Sequence, residues 1–378
     1  MKFTIKKGFL FLAVFLQLVV AALFVTATYA SRLHPGDWWF TGFLGLFFPF
    51  LMLSMFVLLI FWIFINRWGV FFSLGVLLLC LPAIRVHLPF NLPAAFQQQR
   101  DSSAIRLMSW NLRHFIPFNE SGFKPDRIHQ QKEMVQQIRQ YQPDVICMQE
   151  FISMPYEGDE DPRHILVKEL GYKYHQFAGH DIFGTDQYSG IAIFSRYPII
   201  DGNVLPLPAS DPDDSEEPVY ADVVIRGDTL RVYSIHLKSF GFGSKEYKAL
   251  DDVEAKGDDK RVFRKMRSTF LWHGLQADHF RDEVDASPHP VVIAGDFNDV
   301  PASYAYSVIK GNRTDAFLEK GAGLGATFNS SSSAVLQMLP TLRIDYILHS
   351  PEMYTMQFTR GGKWLSDHSF IVADISLP

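Results

Sequence analysis

Three apolar stretches follow one another within the first 86 residues: Gly8 to Ala30, Gly42 to Ile65, and Gly69 to about Val86. A helix needs ~20 apolar residues to cross a bilayer core, so the first two are long enough and the third is marginal. Trp38, Trp39, Trp62 and Trp68 stand near their ends, where amphipathic rings favour the membrane interface. Charge is almost absent over these lengths, which argues against buried helices of a soluble core. Residues 1–86 therefore read as a transmembrane region of about three helices, with spans at about 8–30, 42–65 and 69–86.

Lys2, Lys6 and Lys7 precede the first span, and Arg67 lies in the turn between the second and third. Positive residues stay on the cytoplasmic side, so three crossings predict a multi-pass protein of the cytoplasmic (inner) membrane with the rest of the chain outside. The first stretch also fits a cleaved signal peptide ending near Ala30, which leaves that side unchanged. A third stretch that fails to cross reverses it. Residues 87–104, with Pro89, Pro93 and Gln97 to Gln99, read as a polar linker.

Beyond Arg100 the chain changes character. Seven of the 35 basic residues and one of the 40 acidic ones lie up to that point, leaving 28 against 39 in the soluble part. Such an acidic balance argues against avid, sequence-indifferent binding to DNA, which needs a positive surface to displace counterions. The two cysteines, Cys80 and Cys147, both sit in apolar runs and read as small buried hydrophobes.

From Ile105 to the C-terminus, short strand-like runs alternate with helical patterns. Strands are predicted at Ile105 to Trp110, Val145 to Met148, Ile191 to Phe194, Val219 to Ile225, Leu230 to Leu237, Val291 to Ala294, Leu342 to Leu348 and Phe370 to Ile375. Gly227-Asp228 marks a hairpin. Helices are predicted over Asp126 to Tyr141 and over Asp258 to Val284, the second with Thr269, His273, Ala277, Phe280 and Val284 on one stripe. His273 on that stripe reads as a satisfied core histidine. The run Lys260, Arg261, Arg264, Lys265 and Arg267 reads as a solvated helix start or as a face for anionic lipid or polyphosphate. Asp211 to Glu217 reads as a solvated acidic loop, and Pro155 to His180 and Ser239 to Asp259 as loops without a readable code.

Asn111, Glu150, Asp296 and Asn298 each stand where an apolar strand run ends, and His236 lies close to such an end. Side chains at strand tips converge on one edge of a sheet. Carboxylates and amides without a thiolate pair are hard donors, which favours Mg²⁺ or Mn²⁺ over Zn²⁺. Histidines and a further pair of aspartates beside them suit phosphate chemistry, in which a cation and hydrogen-bond donors stabilise charge on the transition state.

At these positions the chain resembles the endonuclease/exonuclease/phosphatase superfamily, which includes pancreatic-type deoxyribonuclease, abasic-site endonucleases and neutral sphingomyelinases. The matching segments are Ser109-Trp110-Asn111, Gln149-Glu150, Tyr188-Ser189-Gly190, Ile235-His236-Leu237, Gly295-Asp296-Phe297-Asn298, Arg343-Ile344-Asp345-Tyr346 and Ser366-Asp367-His368, in the family's order. Each alone is weak, but the ordered set is strong. The resemblance implies an α/β fold for residues 105–378, a four-layer sandwich of two packed mixed β-sheets flanked by helices. It implies metal ligation by Glu150, Asn111 and Asp367. It also implies catalytic roles for Asp296 in orienting water, Asn298 in holding phosphate and water, His236 and His368 in stabilising the phosphoryl group, and Asp345 in fixing His368. Tyr188 corresponds to a phosphate-contacting tyrosine of the abasic-site enzymes, or else packs at a strand start. Arg113 stands where those enzymes carry an acid, which points toward the deoxyribonuclease and sphingomyelinase branches.

The expectation is thus a Mg²⁺- or Mn²⁺-dependent phosphodiesterase or phosphatase that works by in-line attack of water. Its partners would be a phosphoester substrate, a phospholipid headgroup or nucleic acid, and the bilayer; nothing in the sequence specifies an oligomeric state. The alternatives are an extracytoplasmic nuclease of the same superfamily and a catalytically inactive membrane-anchored binding module.

Overall fold

The computed structural model describes residues 2–115, 127–181, 186–208, 216–242, 259–328, 342–362 and 365–377. Asp126, Asp258, Asp211 to Ser215 and most of Ser239 to Asp259 lie outside them.

Two helices, α1 (Lys2–Ala30) and α2 (Thr41–Ile65), are long and apolar enough to cross a membrane. They run antiparallel, with Phe9 of α1 beside Phe61 of α2 at 6.1 Å. One buried amide ties the bundle together: Trp62 Nε1 donates to Gln17 Oε1 (2.9 Å), and Gln17 Nε2 donates to Ser73 Oγ (3.1 Å). Such polar contacts between helices replace water as hydrogen-bond partner.

The third apolar stretch is not the single helix predicted over 69–86. It divides into α3 (Arg67–Leu79) and α4 (Leu81–His87), bent by 64° at Cys80. Pro82 in the first turn of α4 has no N–H for the Leu78 carbonyl, and its ring obstructs a continuous helix there. With 13 residues, α3 alone reaches only ~20 Å, short of the ~30 Å hydrocarbon core. Two helices rather than three therefore qualify as spans by themselves.

Residues 88–103 form no helix or strand, yet they lie against the globular part. Asn91 Nδ2 donates to the carbonyls of Leu318 and Gly321, both at 3.0 Å, and Gln97 N donates to Gln357 Oε1 at 2.8 Å. Arg100 pairs with Asp144.

Beyond them, two six-stranded sheets pack face to face. The strands are β1 (Ala104–Asn111), β2 (Val145–Ser153), β3 (Tyr174–Asp181), β4 (Tyr188–Ser195), β5 (Ile199–Val204), β6 (Val219–Ile225), β7 (Asp228–His236), β8 (Val291–Asp296), β9 (Thr314–Asp315), β10 (Asp345–His349), β11 (Thr355–Gly361) and β12 (Phe370–Ser376). One sheet has the order β11-β12-β1-β2-β4-β3 and the other β5-β6-β7-β8-β10-β9. Both are mixed: β1 with β2 and β7 with β8 are parallel, and the other pairs are antiparallel.

Between the sheets lies an apolar layer that includes Ile105, Leu107, Val145 and Ile193 from the first and Ala221, Val232, Val292 and Ile347 from the second. Helix α5 (Arg127–Tyr141) covers the outer face of the first sheet through Met134 and Ile138. On the second sheet α6 (Asp259–Asp285) does the same through Ala277, Phe280 and Val284, joined by Ile309 of α7 (Tyr304–Lys310). Helix, sheet, sheet and helix make the four-layer α/β sandwich that the resemblance implied. Parallel strands whose C-terminal ends coincide, β1 with β2 and β7 with β8, bring Asn111, Glu150, His236 and Asp296 to one rim.

Candidate active site

Two local devices at that rim aim the side chains. Strand β2 does not stop at Glu150; it continues to Ser153 through a bulge, with a register shift against β4 between Met148 and Phe151. Glu150 takes a φ of 48° there. A bulge inserts one unpaired residue and re-aims its side chain, a device common beside active sites. At the end of β8, a Cβ on Gly295 would lie 2.0 Å from the Ile235 carbonyl oxygen, at a φ of 153°. Only glycine lets β7 approach closely enough to set His236 beside Asp296.

Asp296 is the centre of the arrangement. Its Oδ2 lies 3.1 Å from Asn111 Nδ2, 3.6 Å from His236 Nε2 and 3.5 Å from His368 Nε2. Its Oδ1 accepts from the backbone N–H of Asn298 at 2.8 Å. Asn111 Nδ2 also reaches Glu150 Oε1 at 3.0 Å, so one amide bridges two carboxylates. The Nδ1 of each imidazole faces a carboxylate: Glu216 Oε2 at 3.0 Å for His236, and Asp345 Oδ2 at 3.0 Å for His368. Ser366 Oγ donates to the Asn111 carbonyl at 2.9 Å and accepts from His368 N at 3.2 Å, which locks the last segment onto β1. Asp367 beside it faces Arg113 Nε at 3.5 Å.

Charge follows from this packing. Burial alone would lower the His236 pKa, but the hydrogen bond and charge of Glu216, with Asp296 and Glu150, outweigh it and raise it to about 9. His368 is raised well above its ordinary value, because Asp345 and Asp296 overcome the cost of burial. Asp296 is itself pushed upward, chiefly by burial; His368 opposes that push and Asp345 reinforces it. Two imidazolium groups therefore converge on one carboxylate that holds a proton more readily than an exposed aspartate.

The donor set also fits a divalent cation. Among the described residues, Asp296, Asp345 and His368 place one ligand atom each within 4.8 Å of the others. In that triad both imidazole nitrogens face carboxylates, as suits a hydrogen-bond donor more than a ligand. The hard oxygens of Glu150, whose Oε1 is held by the Asn111 amide beside Asp296, are the stronger candidates, since a cation there would also offset the repulsion between the two carboxylates.

Eight of the nine residues singled out from the sequence thus meet at one rim. For Tyr188 no contact with them is seen among the described residues: it opens β4, half-buried, and its hydroxyl is engaged with Asp186. The Asn298 amide nitrogen is taken by the Leu237 carbonyl at 2.9 Å, so this side chain braces the ends of β7 and β8. His273 is buried between Asp299 Oδ2 (3.0 Å) and the Lys238 carbonyl (2.7 Å), a satisfied core histidine. Glu216 and His114 were not anticipated. Glu216 belongs to the acidic run read as a solvated loop, yet its carboxylate is buried, pairs with His236 and accepts from Glu150 N at 3.1 Å. His114 Nδ1 lies 3.3 Å from Glu150 Oε2.

The ordered segments and this geometry agree with comparison to known proteins: the model of the endonuclease/exonuclease/phosphatase family matches residues 108–368. The chain belongs to this family. As a member it is a phosphoester hydrolase, and its family uses divalent metals. Residues 7–87 match a separate domain of unknown function, DUF8431. No curated relative matches the chain. Among solved structures, an endonuclease/exonuclease/phosphatase from Beutenbergia cavernae is similar with a TM-score of 0.53 and 22% identity, over 73% of this chain and 72% of that one. A family protein from Leptotrichia buccalis is similar with a TM-score of 0.52 and 16% identity, over 72% of this chain and 100% of that one. Both likenesses concern the fold.

Proposed function

We propose that the protein hydrolyses a phosphoester presented at a membrane surface, a phospholipid headgroup being the favoured class, by in-line attack of water. The observation that carries this reading is the convergence of both imidazoles and the Asn111 amide on Asp296 Oδ2. A carboxylate whose proton affinity is raised by burial is suited to orient a water and accept its proton. The two imidazolium groups donate to phosphoryl oxygens as negative charge builds. Glu216 and Asp345 act as positioning residues, each fixing one ring. Glu150, with the Asn111 amide against it and Asp367 as an auxiliary ligand, would hold Mg²⁺ or Mn²⁺; when bound, the cation would supply Lewis-acid polarisation of a phosphoryl oxygen. The backbone N–H of Asn298 keeps Asp296 aimed, and no covalent intermediate with the protein is needed. Tyr188 stays outside this scheme.

We further propose that α1, α2 and the bent α3–α4 pair cross the cytoplasmic membrane, leaving the catalytic domain of residues 105–378 outside. The connection between α1 and α2 supports this, since His34 packs on Tyr304 and Phe43 on Phe263 of the globular part. The basic start of α1 and Arg67 lie at the far ends of those helices, the cytoplasmic ends by the positive-inside rule. Tethering confines the site to headgroup reach, while the acidic balance of the domain makes nucleic acid the weaker substrate class.

The test is turnover by the full-length protein in lipid nanodiscs over a panel of lipid, nucleotide and sugar phosphoesters with Mg²⁺ or Mn²⁺. Asp296→Asn and His368→Ala should each lose nearly all turnover while remaining folded. Wild-type rates in either variant would overturn the assigned roles.

A further inference from the structure

The basic run that opens α6 takes no part in the chemistry above. Lys260, Arg261, Arg264 and Arg267 are exposed, together with Ser268, Leu271 and Leu275 at helical spacing. Phe263 among them is 41% exposed, a large apolar ring left beside cations. One side of the first four turns therefore mixes charge with hydrophobic area, a pattern costly in water and suited to a membrane interface.

That side lies where the α1–α2 hairpin emerges. Phe43, in the first turn of α2, stacks on Phe263 with centroids 5.1 Å apart, and Trp39 meets the same ring edge-on at 5.4 Å. The Arg267 guanidinium lies 5.3 Å from the Trp39 ring. A Cβ on Gly42 would stand 2.4 Å from the Phe270 ring, so the missing side chain is what lets α6 lie this close to α2. Phe240 then packs on Phe270 at 5.5 Å, and Lys265 Nζ donates to the Gly241 carbonyl at 2.6 Å. An aromatic and basic surface thus runs from the start of a 25-residue apolar helix to the segment that leaves His236.

We infer that the first four turns of α6 rest on the bilayer that α1 and α2 cross, and that Lys260, Arg261, Arg264 and Arg267 take acidic phospholipid headgroups there. The inference rests on the spanning of α1 and α2 and is independent of which phosphoester is hydrolysed. Two observations select an anionic bilayer over other occupants: continuity with the membrane-crossing helices, and an exposed charge of one sign facing that boundary.

The test places an environment-sensitive fluorophore at Ser268→Cys in the full-length protein; Cys80 and Cys147 are buried, so labelling is selective. The protein is reconstituted into nanodiscs of phosphatidylcholine alone or doped with phosphatidylglycerol. The expected result is an emission several-fold stronger in the doped discs, reversed by high salt and abolished when Lys260, Arg261, Arg264 and Arg267 are all changed to Gln. Hydrolysis of a water-soluble phosphoester in detergent should be unchanged in that variant; because it is scored separately, a failure of the catalytic reading shows in turnover and leaves the fluorescence result standing. Equal emission in both kinds of disc, whether weak or strong, would overturn the inference.

Discussion

Changing Glu216 to Gln keeps the shape of the side chain facing His236 but removes its charge, and the structure sets the size of the effect. His236 rises from 6.5 to about 9 in the folded protein, a displacement worth about 3 kcal/mol at 1.36 kcal/mol per pH unit. Because the folded value is the higher one, this stability is fully present below pH ~6.5 and is lost as pH rises through about 9. The hydrogen bond and charge of Glu216 are the main causes of the rise, so most of that dependence should vanish in the variant. Thermal unfolding of the full-length protein, in chelator and between pH 6.5 and 9.5, provides the readout. Wild type and Glu216→Gln should differ most at pH 6.5, by roughly 6 °C at ~2 °C per kcal/mol, and should converge toward pH 9.5. A gap that stays constant with pH would refute the assignment of the His236 proton to this pair.

Three further outcomes follow from the same geometry. Asp296 ionises in the folded state only against the cost of burial. Asp296→Asn should therefore unfold at the same temperature as wild type or higher in chelator at pH 8, whereas Glu150→Gln should lose the stabilisation that Mn²⁺ gives wild type, as read by thermal unfolding with and without the ion. Gly295→Ala drives a Cβ to 2.0 Å from the Ile235 carbonyl; a loss of about 3 kcal/mol or more, or failure to fold, is expected in chemical denaturation, because backbone cannot yield as a flexible side chain does. Tyr188→Phe should keep turnover within about threefold of wild type in a kcat/KM comparison, since the hydroxyl is engaged with Asp186.

The eight strands read from the sequence all exist, and they are the interior strands of both sheets, whose residues are buried on one or both faces and leave long apolar runs. The four that escaped notice, β3, β5, β9 and β11, are the four sheet edges. Edge strands meet solvent along one side and carry mixed composition: β3 shows Tyr174, His175, His180 and Asp181 to water, and β9 is only two residues long. Asn111, Asp296 and His368 were legible because each ends or follows an apolar run within a recognisable segment. Glu216 was not, because an acidic proline-containing stretch has no local mark that separates a buried carboxylate from a solvated one; only tertiary packing against His236 does so. The break in the third apolar stretch could be read from Pro82, which hydropathy averaging overlooks. The polar stretch 88–103 looked like a free linker by composition, yet its hydrogen bonds to Leu318, Gly321 and Gln357 hold it on the domain.

Whether these side chains surround one cation and one phosphoryl group can be read from the anomalous scattering of crystals grown with Mn²⁺. A dominant peak is expected about 2 Å from a Glu150 carboxylate oxygen, on the rim shared with Asp296 and His368, and absent from Glu150→Gln crystals. A peak bound only by residues remote from Glu150 and Asp296, or no peak at a concentration that supports turnover, would contradict it.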